Sequence, residues 1–117
     1  MDQPNQSYSR GSQDKTLLAM TIGQAFDHTV AQYPDGEALV VCHQQRRYTW
    51  RQLAESVDLH ARALLALGLQ TGDRLGIWAP NCAEWCISQL ASAKLGVILV
   101  NIKDRKSTRL NSSHMPH

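Results

Sequence analysis

Gly72-Asp73-Arg74-Leu75-Gly76-Ile77-Trp78-Ala79-Pro80-Asn81 and, after a helical stretch, Gly96-Val97-Ile98-Leu99-Val100-Asn101-Ile102 are the segments whose reading decides the fold. Residues 74–79 form a short apolar run, and Pro80-Asn81 stops it, because proline has no amide hydrogen for a ladder. Residues 82–95 have the length of a helix, Gly96 ends it, and residues 97–102 are a second apolar run. Runs apolar on both faces belong to parallel sheets covered by helices. The pattern therefore predicts a strand–helix–strand unit with a right-handed crossover, the hand that nearly all such units share. A parallel sheet needs more strands than these two, yet the chain turns polar and basic at residues 103–109. The unit reads as the opening of a larger sheet.

Upstream lies the best-specified helix. Thr49-Trp50-Arg51-Gln52 is a capping box, with a hydroxyl at the N-cap and a glutamine three residues later. Apolar residues follow at Trp50, Leu53, Ala54, Val57, Ala61, Leu64 and Leu65, the rhythm of one helical face, and Gly68 supplies the stop. Before it, Thr21 caps a helix over residues 22–32 with Ile22, Ala25, Phe26 and Val30 on one side. Pro34-Asp35-Gly36 is a turn, residues 38–42 and 46–49 read as two strands, and His43-Gln44-Gln45 joins them as a hairpin. The fold class is α/β: helix, hairpin, helix, strand, helix, strand.

Composition bounds the rest. A chain of 117 residues fits one domain, and its 43% hydrophobic and 19% charged content is that of a soluble globular protein. No apolar stretch approaches the roughly 20 residues of a membrane span. Residues 1–16 are a polar, flexible leader without the apolar centre of a signal peptide. Cys42, Cys82 and Cys86 are too few and too irregularly spaced for a disulfide framework, so a reducing, cytoplasmic setting is expected. The net charge of +2 conceals an asymmetry: residues 1–102 carry 8 Lys/Arg against 9 Asp/Glu, and residues 103–117 carry 4 against 1. The body thus gives no electrostatic reason to expect nucleic acid or an anionic membrane.

The basic segment has its own explanation. Residues 104–114 read Asp-Arg-Lys-Ser-Thr-Arg-Leu-Asn-Ser-Ser-His, the translation of a widely used sequencing-library adapter. Residues 103–117 are accordingly set apart as an adapter-derived tail, and residues 17–102 are the part to be folded. The competing reading, a phosphate-binding tail using Lys103, Arg105, Lys106 and Arg109, has no interleaved aromatics behind it.

The body offers little chemistry. Cys82 and Cys86 stand one helical turn apart, but no second pair completes a zinc set, and packed thiols are the simpler reading. There is no Gly-x-Ser-x-Gly elbow; His28 and His60 read as surface or boundary residues, and Asp73 as a turn residue. The glycines Gly68 and Gly72 precede a strand rather than a helix and have no lysine beside them, which makes them a connection and not a phosphate cradle. Asn81 is most simply the N-cap of the following helix, and Trp78 and Trp85 are core or interface residues. No catalytic, cofactor-binding or metal-ligating residue is assigned.

Three segments together resemble the adenylate-forming (AMP-binding) enzymes. Tyr48-Thr49-Trp50-Arg51-Gln52-Leu53 is similar to their early Thr/Ser-aromatic-x-x-Leu motif, residues 72–81 to their Gly-Asp-Arg-Val-Ala-Ile strand with its Pro-Asn helix start, and residues 93–102 to their Lys-Ala-Gly-Ala-Val segment. Thr21-Ile22 and residues 34–39 fall where the family has a helix and a Pro-Asp-x-x-Ala-Leu strand, so the likeness covers residues 21–102. It resembles acyl-CoA synthetases (fatty-acid–CoA ligases) more than peptide-synthetase domains. The resemblance implies the N-terminal part of a parent that uses ATP and Mg²⁺ to convert a fatty or other carboxylic acid into an acyl-adenylate, then passes the acyl group to coenzyme A. It also implies that the parent's phosphate loop, acidic residues and C-terminal lysine lie downstream, leaving residues 1–102 inactive by themselves. Two other classes compete with it: a free-standing α/β interaction module using the sheet edge or the Trp78/Trp85 region, and a nucleic-acid-binding module using the tail.

Overall fold

The computed structural model describes residues 7–9, 11–12, 14 and 18–102. Most of the leader and the whole of residues 103–117 lie outside the described residues.

Helix α1 (Ile22–Gln32) starts at Thr21, whose Oγ1 accepts from the Gln24 amide at 3.1 Å while the Gln24 side chain accepts from the Thr21 amide at 2.9 Å. A Pro34–Gly36 turn leads to strand β1 (Glu37–Val41), paired antiparallel with β2 (Arg46–Thr49). Helix α2 (Trp50–Ala66) repeats the capping box at Thr49 and Gln52. Its remaining early amides are also satisfied: Trp50 donates to the Gly36 carbonyl at 3.0 Å and Arg51 to that of Pro34 at 2.9 Å. At its other end Gly68, at φ +95°, donates to Leu65, and Leu69 donates to Leu64. That pairing is a Schellman stop, which a left-handed glycine makes possible.

Strand β3 (Arg74–Ile77), helix α3 (Ala83–Leu95) and strand β4 (Ile98–Asn101) follow as the sequence predicts, with β3 and β4 parallel and Leu75 opposite Leu99. Gly96 ends α3 at φ +71°, and a side chain there would meet Thr71 Cγ2 at 2.8 Å. Thr71 Oγ1 in turn donates to the Leu95 carbonyl at 2.9 Å, so this end of the helix is tied to the turn that enters β3.

Helices α2 and α3 pack face to face, and α1 lies against both. Phe26, Leu53, Val57, Ala61, Leu64, Ile87 and Ala91 form one buried cluster, with Leu75, Leu90 and Leu95 packed around it. Burying each large aliphatic member contributes about 1.5–3 kcal/mol.

Several expectations need correction. The first strand begins at Glu37 and ends at Val41, because Cys42 already opens a 3₁₀ turn over Cys42–Gln44. Gln45 then takes the left-handed conformation, at φ 54°, that an Asn-Gly pair would otherwise supply. Ile22 and Leu65, placed on apolar faces, are exposed at 67% and 54%. The contact stripe of α1 keeps the expected Phe26 and Val30 and adds Gly23, where the absence of a side chain lets the Lys94 stem come close. The two strands of the parallel pair are not covered on both faces: Leu75, Ile77 and Leu99 are half-buried, whereas Trp78, Ile98, Val100 and Ile102 are exposed. The apolar pattern was a property of both faces, and the described residues place helices against one of them.

Candidate functional site

In open parallel sheets, ligands approach the carboxyl ends of the strands. Here those ends are residues 78–81 after β3 and Ile102 after β4, all exposed. Of the two readings for Trp78, core or interface, its exposure removes the core, while Trp85 is half-buried.

The start of α3, beside that connection, is built differently from the sequence reading. Cys82, not Asn81, occupies the N-cap, and its side chain makes no capping bond. The acceptor comes from the hairpin turn instead: Gln44 Oε1 accepts from the Ala83 amide at 2.9 Å. Gln44 Nε2 donates to Glu84 Oε1 at 3.1 Å, and the Arg46 guanidinium donates to Glu84 Oε2. The Gln44 amide, the backbone amide of Glu84 itself and Arg46 together hold the Glu84 carboxyl down to about 2. A carboxylate in the first turn also faces the positive end of the helix dipole.

The opposite end of α3 carries a second tie. Lys94 Nζ lies 2.9 Å from Asp27 Oδ1 on α1 and 3.0 Å from Asp58 Oδ1 on α2, and 5.6 Å from the centre of the Phe26 ring. Partial burial pulls this amine down, but hydrogen bonds and charges from Asp27 and Asp58 outweigh it and raise Lys94 above its ordinary value. One cation thus joins three helices. In the same motif Gly96 closes against Thr71, and β4 pairs with β3.

The other candidates stay apart. His60 Nε2 lies 3.1 Å from Ser88 Oγ across the α2–α3 interface, where Ser88 is buried and His60 half-buried. His28 is exposed on α1. Asp73 is a turn residue: its Oδ2 accepts from the Gln70 amide at 2.8 Å and its own amide donates to the Gln70 carbonyl at 3.0 Å. Cys42, Cys82 and Cys86 are free thiols, and among the described residues no three His, Cys, Asp or Glu side chains gather where a metal could sit. A shallow depression beside β2 is lined by Arg46, Arg47, Tyr48 and Glu55, but Arg46 is engaged by Glu84 and Arg47 by Glu37 at 2.6 Å. Sequence reasoning missed both ties on α3. Gln44 and Ala83 are 39 positions apart and Asp58 and Lys94 are 36 apart, and no local spacing signals a contact of that kind.

The three familiar motifs thus occupy the hairpin-to-α2 cap, the turn and strand β3, and the end of α3 with β4. The model of the family described as "AMP-binding enzyme" matches residues 26–109. This chain belongs to the AMP-binding enzyme family. Among its curated relatives, the mouse medium-chain acyl-CoA ligase ACSF2, mitochondrial, is 46% identical over 96 residues, which is 82% of this chain and 16% of that protein. The human counterpart is 47% identical over the same shares. A putative acyl-CoA synthetase, YngI, of Bacillus subtilis is 37% identical over 86 residues, 74% of this chain and 16% of the relative. Among solved structures, a Mycobacterium tuberculosis fatty acyl CoA synthetase superposes with a TM-score of 0.70 at 31% identity, covering 80% of this chain and 20% of that one. The Klebsiella oxytoca NpsA N-terminal subdomain in complex with 3-hydroxyanthranilyl-AMSN superposes with a TM-score of 0.69 at 28% identity, covering 82% and 24%.

The chain thus spans about a sixth of the curated AMP-binding relatives it matches and matches the N-terminal subdomain type of the solved ones. Among the described residues no group of three or more His, Cys, Asp or Glu gathers, and the two arginines of the depression are already paired with glutamates.

Proposed function

We propose that this chain is part of an ATP-dependent acyl-CoA synthetase. The whole protein would join a fatty or other carboxylic acid to AMP with release of pyrophosphate, then transfer the acyl group to the thiol of coenzyme A. The observation that carries this reading is the 45–48% identity to medium-chain acyl-CoA ligases of several mammals, sustained over 96 residues. Within such an enzyme, residues 21–102 supply scaffold: a doubly capped helix pair and the first parallel strands, on which no reacting group sits. Residues 103–117 stay outside this assignment as adapter-derived, although the family match runs on to residue 109. The free thiols fit a reducing compartment; we read the cytoplasm, while the mammalian relatives are named as mitochondrial. The 117-residue chain alone is inactive on this reading. ATP–pyrophosphate exchange with a panel of short-, medium- and long-chain carboxylic acids tests it: no exchange above the protein-free rate is expected, and robust exchange with any acid would overturn the scaffold assignment.

A further inference from the structure

We draw no further inference here: the strongest candidate, the exposed apolar face of the β3–β4 sheet formed by Trp78, Ile98, Val100 and Ile102, carries nothing because nothing in the structure shows what covers it.

Discussion

Replacing Gln44 with alanine cuts the bond by which the hairpin turn caps α3. Ala83 is fully buried, and its amide has Gln44 Oε1 as acceptor at 2.9 Å, since Cys82 offers no side-chain cap. Losing an N-cap costs typically about 1 kcal/mol, and orphaning a buried amide costs about 1–3 kcal/mol. The contact between Gln44 and Glu84 is exposed and is left out of the sum. The two figures describe the same bond, so Gln44→Ala should destabilise the chain by about 1–2 kcal/mol. For a domain of this size that lowers Tm by roughly 5–15 °C. Thermal unfolding followed by circular dichroism gives the global value, and amide hydrogen exchange gives the local one. Protection should fall at Ala83 and Glu84 while the Thr49-capped start of α2 keeps its own. A Tm within 2 °C of the parent chain, with unchanged exchange at Ala83, would refute the capping role.

Two further predictions concern charge. Lys94→Met should destabilise by about 1–2 kcal/mol, modest for two ion pairs because both aspartates are substantially solvated. Because the folded amine is raised, its contribution is complete below the unfolded value of about 10.4 and is lost as pH rises through the folded one. As pH rises above about 10.4 the parent chain should therefore lose stability more steeply than Lys94→Met, which urea midpoints at successive alkaline pH values will show. Glu84 runs the other way: its stabilising effect is present above the ordinary carboxylate value near 4.3 and fades as pH falls towards about 2. In Glu84→Gln the acid limb of the stability curve should flatten in that window, and an unaltered limb would dissociate Glu84 from the junction.

What could be read from the sequence follows the range of the interactions. The Thr21 cap, the capping box at Thr49, the Gly68 and Gly96 stops and the parallel pairing of β3 with β4 depend on residues within a few positions or on a repeating apolar pattern. They appear in the structure where the residues place them. A local rule places the cap of α3 at Asn81, whereas a distant side chain, that of Gln44, does the capping. Periodicity places Leu65 on the buried face, although it lies at the margin of the α2 stripe whose centre is Leu53, Val57, Ala61 and Leu64. Trp78, Ile98, Val100 and Ile102 are exposed on a sheet that the sequence already reads as incomplete, since an apolar run states that burial is favourable and says nothing about which layer provides it. On function, the motifs lead to the AMP-binding family through their order and spacing; within them Thr49 and Gln52 cap α2 and Lys94 pairs with Asp27 and Asp58, whereas Trp78 and Asn81 are exposed.

The most direct test of the central claim is a chimera in which residues 21–102 replace the matching segment of the mouse medium-chain acyl-CoA ligase. If these residues are interchangeable scaffold, the soluble chimera will form acyl-CoA from a medium-chain acid, ATP and coenzyme A, with kcat within about tenfold of its parent, a barrier change of no more than roughly 1.4 kcal/mol. A chimera that folds with the parent's circular dichroism yet makes no acyl-CoA would contradict it.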